Sequence, residues 1–444
     1  MTIQVREYAL LTCDNSVSGT MDLGIISPQT FDWLMALQER WGNSVQLLNR
    51  EGTQFLRLGS YVGYLESPSG ESIEILPKTQ IEITDKPEPL RQVLRRMLQV
   101  SAGISPRQAS AAALQRSHQP LHEWIFSEFL CHMVELVRRG LRFDYHLTED
   151  NDSAFIRGQL DINRQVRQPP GRGTRFHVRY DEFTPQRIEN RLLRTALDSV
   201  LKLTKDSQNW RMANTLSHQL SDIQPVTEPL LKIKSWSESK YLFAYRTIKP
   251  WCQLILEKMN PDFQKGLSRG ISLLFPMDKL FEKWVGHSLA NALHPGFSLA
   301  MQSKEHYLLT HTPVSNNPAT ESWFMLRPDF FIKAKPTSFV LDAKWKLLDA
   351  RQANSSDKYG ISQSDLYQMY AYGHKYLTGK GQMMLIYPCN PFFDVPLPPF
   401  HFDKNLTLWC VPFDVELGQL VRGEWELKFA CLTNGFMSTE VYTV

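Results

Sequence analysis

From Ile3 to about Ile83 the apolar side chains come in short runs. Ile3–Tyr8, Phe55–Val62 and Ser72–Leu76 alternate or carry branched residues between turn signals, which predicts strands. Pro28–Trp41 breaks the series: Phe31, Leu34, Met35 and Leu37 fall at helical spacing, and Ser27-Pro28 is a suitable helix entrance. Asp85-Lys-Pro-Glu-Pro89 then precedes a run that is helical from Leu90 through Met97 and Leu98, so a first boundary belongs in or shortly after it. The next third changes period. Leu121–Val137 and Ile188–Leu203 each carry apolar residues on one helical face. Between them Arg164, Arg167, Arg172, Arg175 and Arg179 occur without an acidic residue, around the breaker Pro169-Pro-Gly-Arg-Gly173. That segment reads as a solvated loop between strands, as a set of phosphate contacts, or as a docking site for an acidic partner.

The last third alternates helix and strand. Phe275–Ala290 is helical, with Leu280, Phe281, Trp284, Val285 and Leu289 on its core face and Glu282 placed to supply a carboxylate or to sit on the surface. Asp329–Lys333 and Ser338–Trp345 flank Ala334-Lys-Pro-Thr337 as a hairpin; a helix from Ser364 and a buried strand, Gln382–Pro388, follow. The expected architecture is therefore α+β and multidomain: a β-rich region over 1–110, a mostly helical region over 111–265 containing the basic segment 164–180, and an α/β region over 266–444.

At 444 residues the chain is too long for one ordinary domain, and its 42% hydrophobic and 21% charged content excludes fibrous and disordered classes. With 49 basic and 46 acidic side chains the net charge is only +3, so any nucleic-acid surface must be a local patch. Cys13, Cys131, Cys252, Cys389, Cys410 and Cys431 form no C-x-x-C pair, which suits a reducing compartment better than a disulfide framework. No signal-peptide core and no membrane-length apolar run occurs, so a cytoplasmic protein with no membrane partner is expected. Nor do His118, His122, His306 and His311 show metal-ligand spacing.

The hairpin concentrates the chemistry. A symmetric four-residue turn sets Asp329 opposite Asp342, with Cβ atoms roughly 5 Å apart on one face, and strand period two returns Lys344 to that face. Two carboxylates so close repel unless they share a proton or bind a cation, and hard oxygen ligands suit Mg²⁺ or Mn²⁺. Such an ion with an adjacent ammonium suits phosphodiester hydrolysis. Exposed charges on an ordinary hairpin are the competing reading. Downstream, Gln368 and Tyr372 share an i, i+4 line on the predicted helix.

This order of elements resembles the PD-(D/E)XK nuclease superfamily and, more narrowly, the McrC subunit of McrBC modification-dependent restriction systems. The segments that carry the likeness are Arg6-Glu-Tyr8, Tyr61-Val-Gly63, Glu74-Ile-Leu-Pro-Lys78, Arg157-Gly-Gln-Leu-Asp161, Arg179-Tyr-Asp-Glu-Phe-Thr184, Glu189-Asn-Arg191, Pro328-Asp329, Asp342-Ala-Lys344 and Ser362–Met369. Roughly residues 200 to 265 match no such segment. The resemblance implies a C-terminal endonuclease domain in which Asp329, Asp342 and Lys344, with Glu282, are catalytic, and Asp329, Asp342 and Glu282 hold Mg²⁺ or Mn²⁺. It implies double-stranded DNA as substrate and a McrB-like AAA+ GTPase as the partner that docks on the N-terminal portion, is stimulated there and recognises modified DNA. Because no G-x-x-x-x-G-K-[ST] occurs, nucleotide hydrolysis would fall to that partner. A free-standing repair or recombination nuclease and a non-catalytic, DNA-binding activator are the alternatives.

Overall fold

A computed structural model describes residues 2–41, 47–52, 54–79, 87–103, 119–169, 171–258, 271–314, 320–333 and 338–432. The expected hairpin turn at 334–337, the start of the linker at Asp85-Lys86 and the expected domain limits near 110 and 265 lie outside these residues. The chain divides into two compact units, one of residues 1–118 with 274–444, the other of 119–273. The mixture of helices and strands is the α+β arrangement the patterning predicts. Among the described residues all six cysteines are free, and no helix is long and apolar enough to cross a membrane.

One four-stranded sheet runs in the order Thr2–Arg6, Ser72–Leu76, Tyr61–Glu66, Ile271–Pro276, the last strand spanning residue 274, where the chain re-enters the first unit. A second sheet has the order Leu23–Ile25, Leu10–Thr12, Phe55–Leu58, Leu48–Glu51. The predicted run Phe55–Val62 is thus two strands, Phe55–Leu58 and Tyr61–Glu66, parted at Gly59-Ser60. Helix Pro28–Trp41 closes their core with Trp33, Leu34 and Leu37, against Val5, Leu11, Leu56 and Ile75. Helix Pro87–Ser101 is tied to the first sheet by Arg91, whose guanidinium lies 2.6 Å from buried Glu74.

The same unit contains a mixed sheet in the order Ser298–Met301, Phe330–Lys333, Phe339–Ala343, Gly381–Pro388, Leu406–Asp414, Phe400–His401, with Gln419–Leu420 pairing the long strand 406–414. Phe339–Ala343 is central, antiparallel to the strand before it and parallel to Gly381–Pro388. A strand buried on both faces must be apolar throughout, which is how Met383–Tyr387 reads. Helix Gln363–Tyr376 covers one face through Met369, Tyr372 and Tyr376. Helix Met277–Ala292 begins two residues later than its hydrophobic pattern suggests, because Phe275 and Pro276 complete the preceding strand. It approaches the hairpin at Gly286, where a Cβ would lie 2.6 Å from Met301 and 2.9 Å from Phe330.

The second unit is mostly helical: Leu121–Arg139, Ile188–Leu203, Ser207–Gln219 and Lys249–Lys258 surround a core that includes Phe126, Phe129, Leu193 and Trp251. Its three strands, ordered Asp144–Ser153, Phe176–Thr184, Gln159–Leu160, form a separate sheet. The basic segment is more ordered than a plain loop: it includes part of the short helix Ile162–Val166 and enters the strand at Phe176.

Candidate active site

The hairpin has the register expected of a symmetric turn. Phe330 faces Leu341, Phe331 faces Val340 and Ile332 faces Phe339, and continuing this pairing sets Asp329 opposite Asp342. Two bonds tie the carboxylates to the opposing backbone: the Ala343 N–H donates to Asp329 Oδ2 at 3.0 Å and the Asp329 N–H to Asp342 Oδ1 at 3.4 Å. Asp342 is 1% exposed and is the penultimate residue of the central strand Phe339–Ala343. The open ends of parallel strands commonly receive ligands in α/β sheets. Lys344 returns to the same face, its Nζ 2.5 Å from Asp342 Oδ2.

Helix Gln363–Tyr376 holds the lysine from the other side. Lys344 Nζ donates to Gln368 Oε1 at 3.0 Å, Gln368 Nε2 donates to the Tyr372 hydroxyl at 2.7 Å, and that hydroxyl donates to the Arg327 carbonyl at 2.9 Å. One turn earlier, Asp365 takes Lys346 Nζ at 2.8 Å, while Ser362 caps the helix by accepting from the Asp365 N–H. The stripe 365, 368, 372 therefore grips alternate lysines of the strand's extension. Gln368 was legible as a helical neighbour of Tyr372; Lys346 and Asp365 follow from continuing the two periods one step further, and were missed.

Glu282 projects from the second turn of helix Met277–Ala292 and is 6% exposed. Its two oxygens accept from Gln302 Nε2 at 2.6 Å and Lys279 Nζ at 2.8 Å. Asp278, in the first turn of this helix, was also missed; burial raises its pKa, an effect countered by the positive charges of Lys344, Lys279 and Lys346.

Burial, reinforced by the negative charges of Asp342 and Glu282, pushes Asp329 up to about 7. Asp342 is likewise raised by burial, against the opposing pull of Lys344. Burial alone would draw protons off Lys344, but Asp342 and Asp329 outweigh it and leave the ammonium held above its ordinary range. The site thus sets buried carboxylates against Lys344, with Lys279 also held in its charged form by Glu282. Among the described residues no three His, Cys, Asp or Glu side chains are gathered tightly enough to cage an ion. Two facing carboxylates still match how Mg²⁺ is commonly taken, by one or two carboxylates with substrate oxygens and waters completing the shell. Glu282, held by Gln302 and Lys279, would have to move toward them to join, since the three carboxylates are not gathered as they stand.

The arginines of the basic segment lie in the second unit. Arg164 reaches Glu149 at 2.9 Å, Arg179 reaches Glu149 and Asp161 at 3.0 Å each, and Arg175 lies 3.9 Å from Asp152. Arg167 and Arg172 are exposed, with no ion pair among the described residues. In the neighbouring segment, Gly158 has φ +67° and a Cβ there would sit 2.2 Å from the Arg179 carbonyl, so only glycine allows this approach. Arg157 stacks 4.2 Å over the Tyr180 ring.

A mixed sheet bearing two acids and a lysine at one end of its central hairpin, joined to β-rich and helical parts, defines a multidomain α+β protein with an acid–lysine centre. The model of the McrBC 5-methylcytosine restriction system component family matches residues 56–388, and the chain belongs to that family. Among solved structures, it is similar to a chain in a half-complex from the tetradecameric assembly of Thermococcus gammatolerans McrB AAA+ hexamers with bound McrC, at 18% identity and a TM-score of 0.66, covering 97% of this chain and 98% of that one. A chain of the Thermococcus gammatolerans McrBC complex is similar at 20% identity and a TM-score of 0.49, covering 66% and 88%. No curated protein matches the sequence.

Proposed function

We propose that this chain is the DNA-cleaving subunit of a McrBC-type restriction complex, a PD-(D/E)XK-type endonuclease recruited by a AAA+ GTPase. The observation that carries the reading is the meeting of Asp329, Asp342 and Lys344 at one strand end, with Asp329 pushed up to about 7 by burial and by its acidic neighbours. A buried pair of acids so arranged gains most from a divalent cation. Asp329 and Asp342 would hold Mg²⁺ or Mn²⁺, with Glu282 as a third ligand after rearrangement. The ion, when bound, supplies charge neutralisation on a phosphoryl oxygen and acidifies a water.

The remaining work falls to the chain itself. Lys344, whose ammonium Asp342 and Asp329 hold in its charged form, stabilises negative charge developing on the phosphate and orients the attacking water. Gln368, braced by Tyr372, keeps that ammonium aimed. The family membership and the Thermococcus assembly of McrB AAA+ hexamers with bound McrC support a AAA+ partner.

The test is to assay Asp342→Ala with the AAA+ partner on double-stranded DNA containing 5-methylcytosine. Cutting should disappear while stimulation of the partner's GTPase persists. Undiminished cutting by a folded Asp342→Ala protein would overturn the assignment.

A further inference from the structure

Arg6-Glu-Tyr8 contains a buried acid to which the hydrolytic reading gives no role. Arg6 is taken by Asp22, 2.5 Å away. Glu7 is fully buried, and its Oε1 accepts two N–H groups: the Trp345 indole at 2.6 Å and the Lys78 backbone at 2.8 Å. Its Oε2 accepts the Ser60 hydroxyl at 3.4 Å. Trp345 is the residue after Lys344. Ser60, in turn, accepts at its carbonyl the N–H of Met277, the first residue of the helix bearing Glu282, at 3.1 Å. The ring closes through Trp345 and Phe281, whose centroids are 5.1 Å apart; Phe281 immediately precedes Glu282.

Both walls of the candidate site are thus fastened to one carboxyl group. We propose that Glu7 is a positioning residue for hydrolysis: by holding the Trp345 indole and, through Ser60, the start of helix Met277–Ala292, it sets the placement of Lys344 relative to Glu282. The role does not depend on titration, because either protonation state of a carboxyl offers an oxygen to the indole. Removing the carboxyl group takes the acceptor from three donors, the Trp345 indole, the Lys78 N–H and the Ser60 hydroxyl, and frees the strand end to shift. Misplacement of a catalytic group by about 1 Å can cost on the order of 100-fold in rate.

The inference rests on the hydrolytic reading for its consequence, but the clasp itself is measurable without it. The full-length protein would be compared with Trp345→Phe, Glu7→Ala and Glu7→Gln by amide hydrogen exchange, and by single-turnover cleavage with the AAA+ partner and Mg²⁺. Trp345→Phe and Glu7→Ala should speed exchange in peptides spanning 339–347 and 277–284, and lower kcat about tenfold with KM for DNA unchanged. Glu7→Gln retains an Oε1 for both N–H groups and should recover to within about threefold of the unaltered protein. Unchanged exchange in both peptides, a change confined to KM, or a Gln variant no better than Ala would overturn the proposal. If the unaltered protein cuts no DNA, the hydrolytic reading fails, and exchange alone decides whether the clasp exists.

Discussion

Lys344 and Gln368 meet at 3.0 Å across a gap of 24 residues, one from the end of a central strand and the other from a covering helix. Because Lys344 also lies 2.5 Å from Asp342 Oδ2, its ammonium is held by a charge on one side and a neutral amide on the other. An amide aims the lysine without neutralising it.

Gln368→Ala should therefore slow DNA cleavage without abolishing it, by about tenfold, as expected of a lost orienting contact. Tyr372→Phe, which removes the hydroxyl bracing Gln368, should have a smaller effect in the same direction. Single-turnover cleavage measures both, and a Gln368→Ala enzyme as fast as the unaltered protein would remove the residue from the site.

Asp329 has a folded pKa of about 7 against an ordinary value of 3.8. The native state therefore holds this proton more tightly than the unfolded chain, and stability falls as pH rises from about 4 to about 7. Asp329→Asn, which removes the charge while keeping the shape, should be more stable than the unaltered protein at pH 8 in EDTA, by about 1–3 kcal/mol. The advantage should shrink toward pH 5, where the native carboxyl is already protonated. Thermal unfolding at the two pH values checks this, and an equal difference at both would contradict it.

Divalent-ion binding should compete with the same proton. Mn²⁺ affinity followed by calorimetry should fall about tenfold per pH unit below 7 and level off above it, with uptake of the ion releasing a proton. Affinity independent of pH between 5.5 and 8 would place the ion elsewhere.

The basic segment separates by its ion pairs. Arg164, from the short helix Ile162–Val166, and Arg179, from strand Phe176–Thr184, share Glu149, so replacing either should loosen the hold on strand Asp144–Ser153; Arg172 has no such tie. If Arg172 meets phosphate, Arg172→Ala should reduce the salt slope of DNA binding by about one unit. An unchanged slope assigns it to solvent or to protein contact.

Local order was legible where a single period dominates. Pro28–Trp41 and Ile188–Leu203 are helices to the residue expected, and the hairpin register followed from turn symmetry alone. The likeness to McrC, seen first in scattered short segments, agrees with the family match over residues 56–388. Several of those segments prove to contribute to packing: Glu74 pairs with Arg91, and Asn190 accepts the Tyr245 hydroxyl at 2.7 Å.

What the sequence determined by itself was the alternation that sets Asp342 and Lys344 on one strand face, because side-chain direction in a strand is fixed by covalent geometry. Tertiary structure decided everything that depends on partners distant in the chain. It brought Glu149 and Asp161 to arginines whose own segment has no acid, and set Glu7 against Trp345 across 338 residues. It also buried Asp329 and Asp342 deeply enough to raise their pKa values, since desolvation depends on what packs around a carboxyl group and not on its neighbours in sequence.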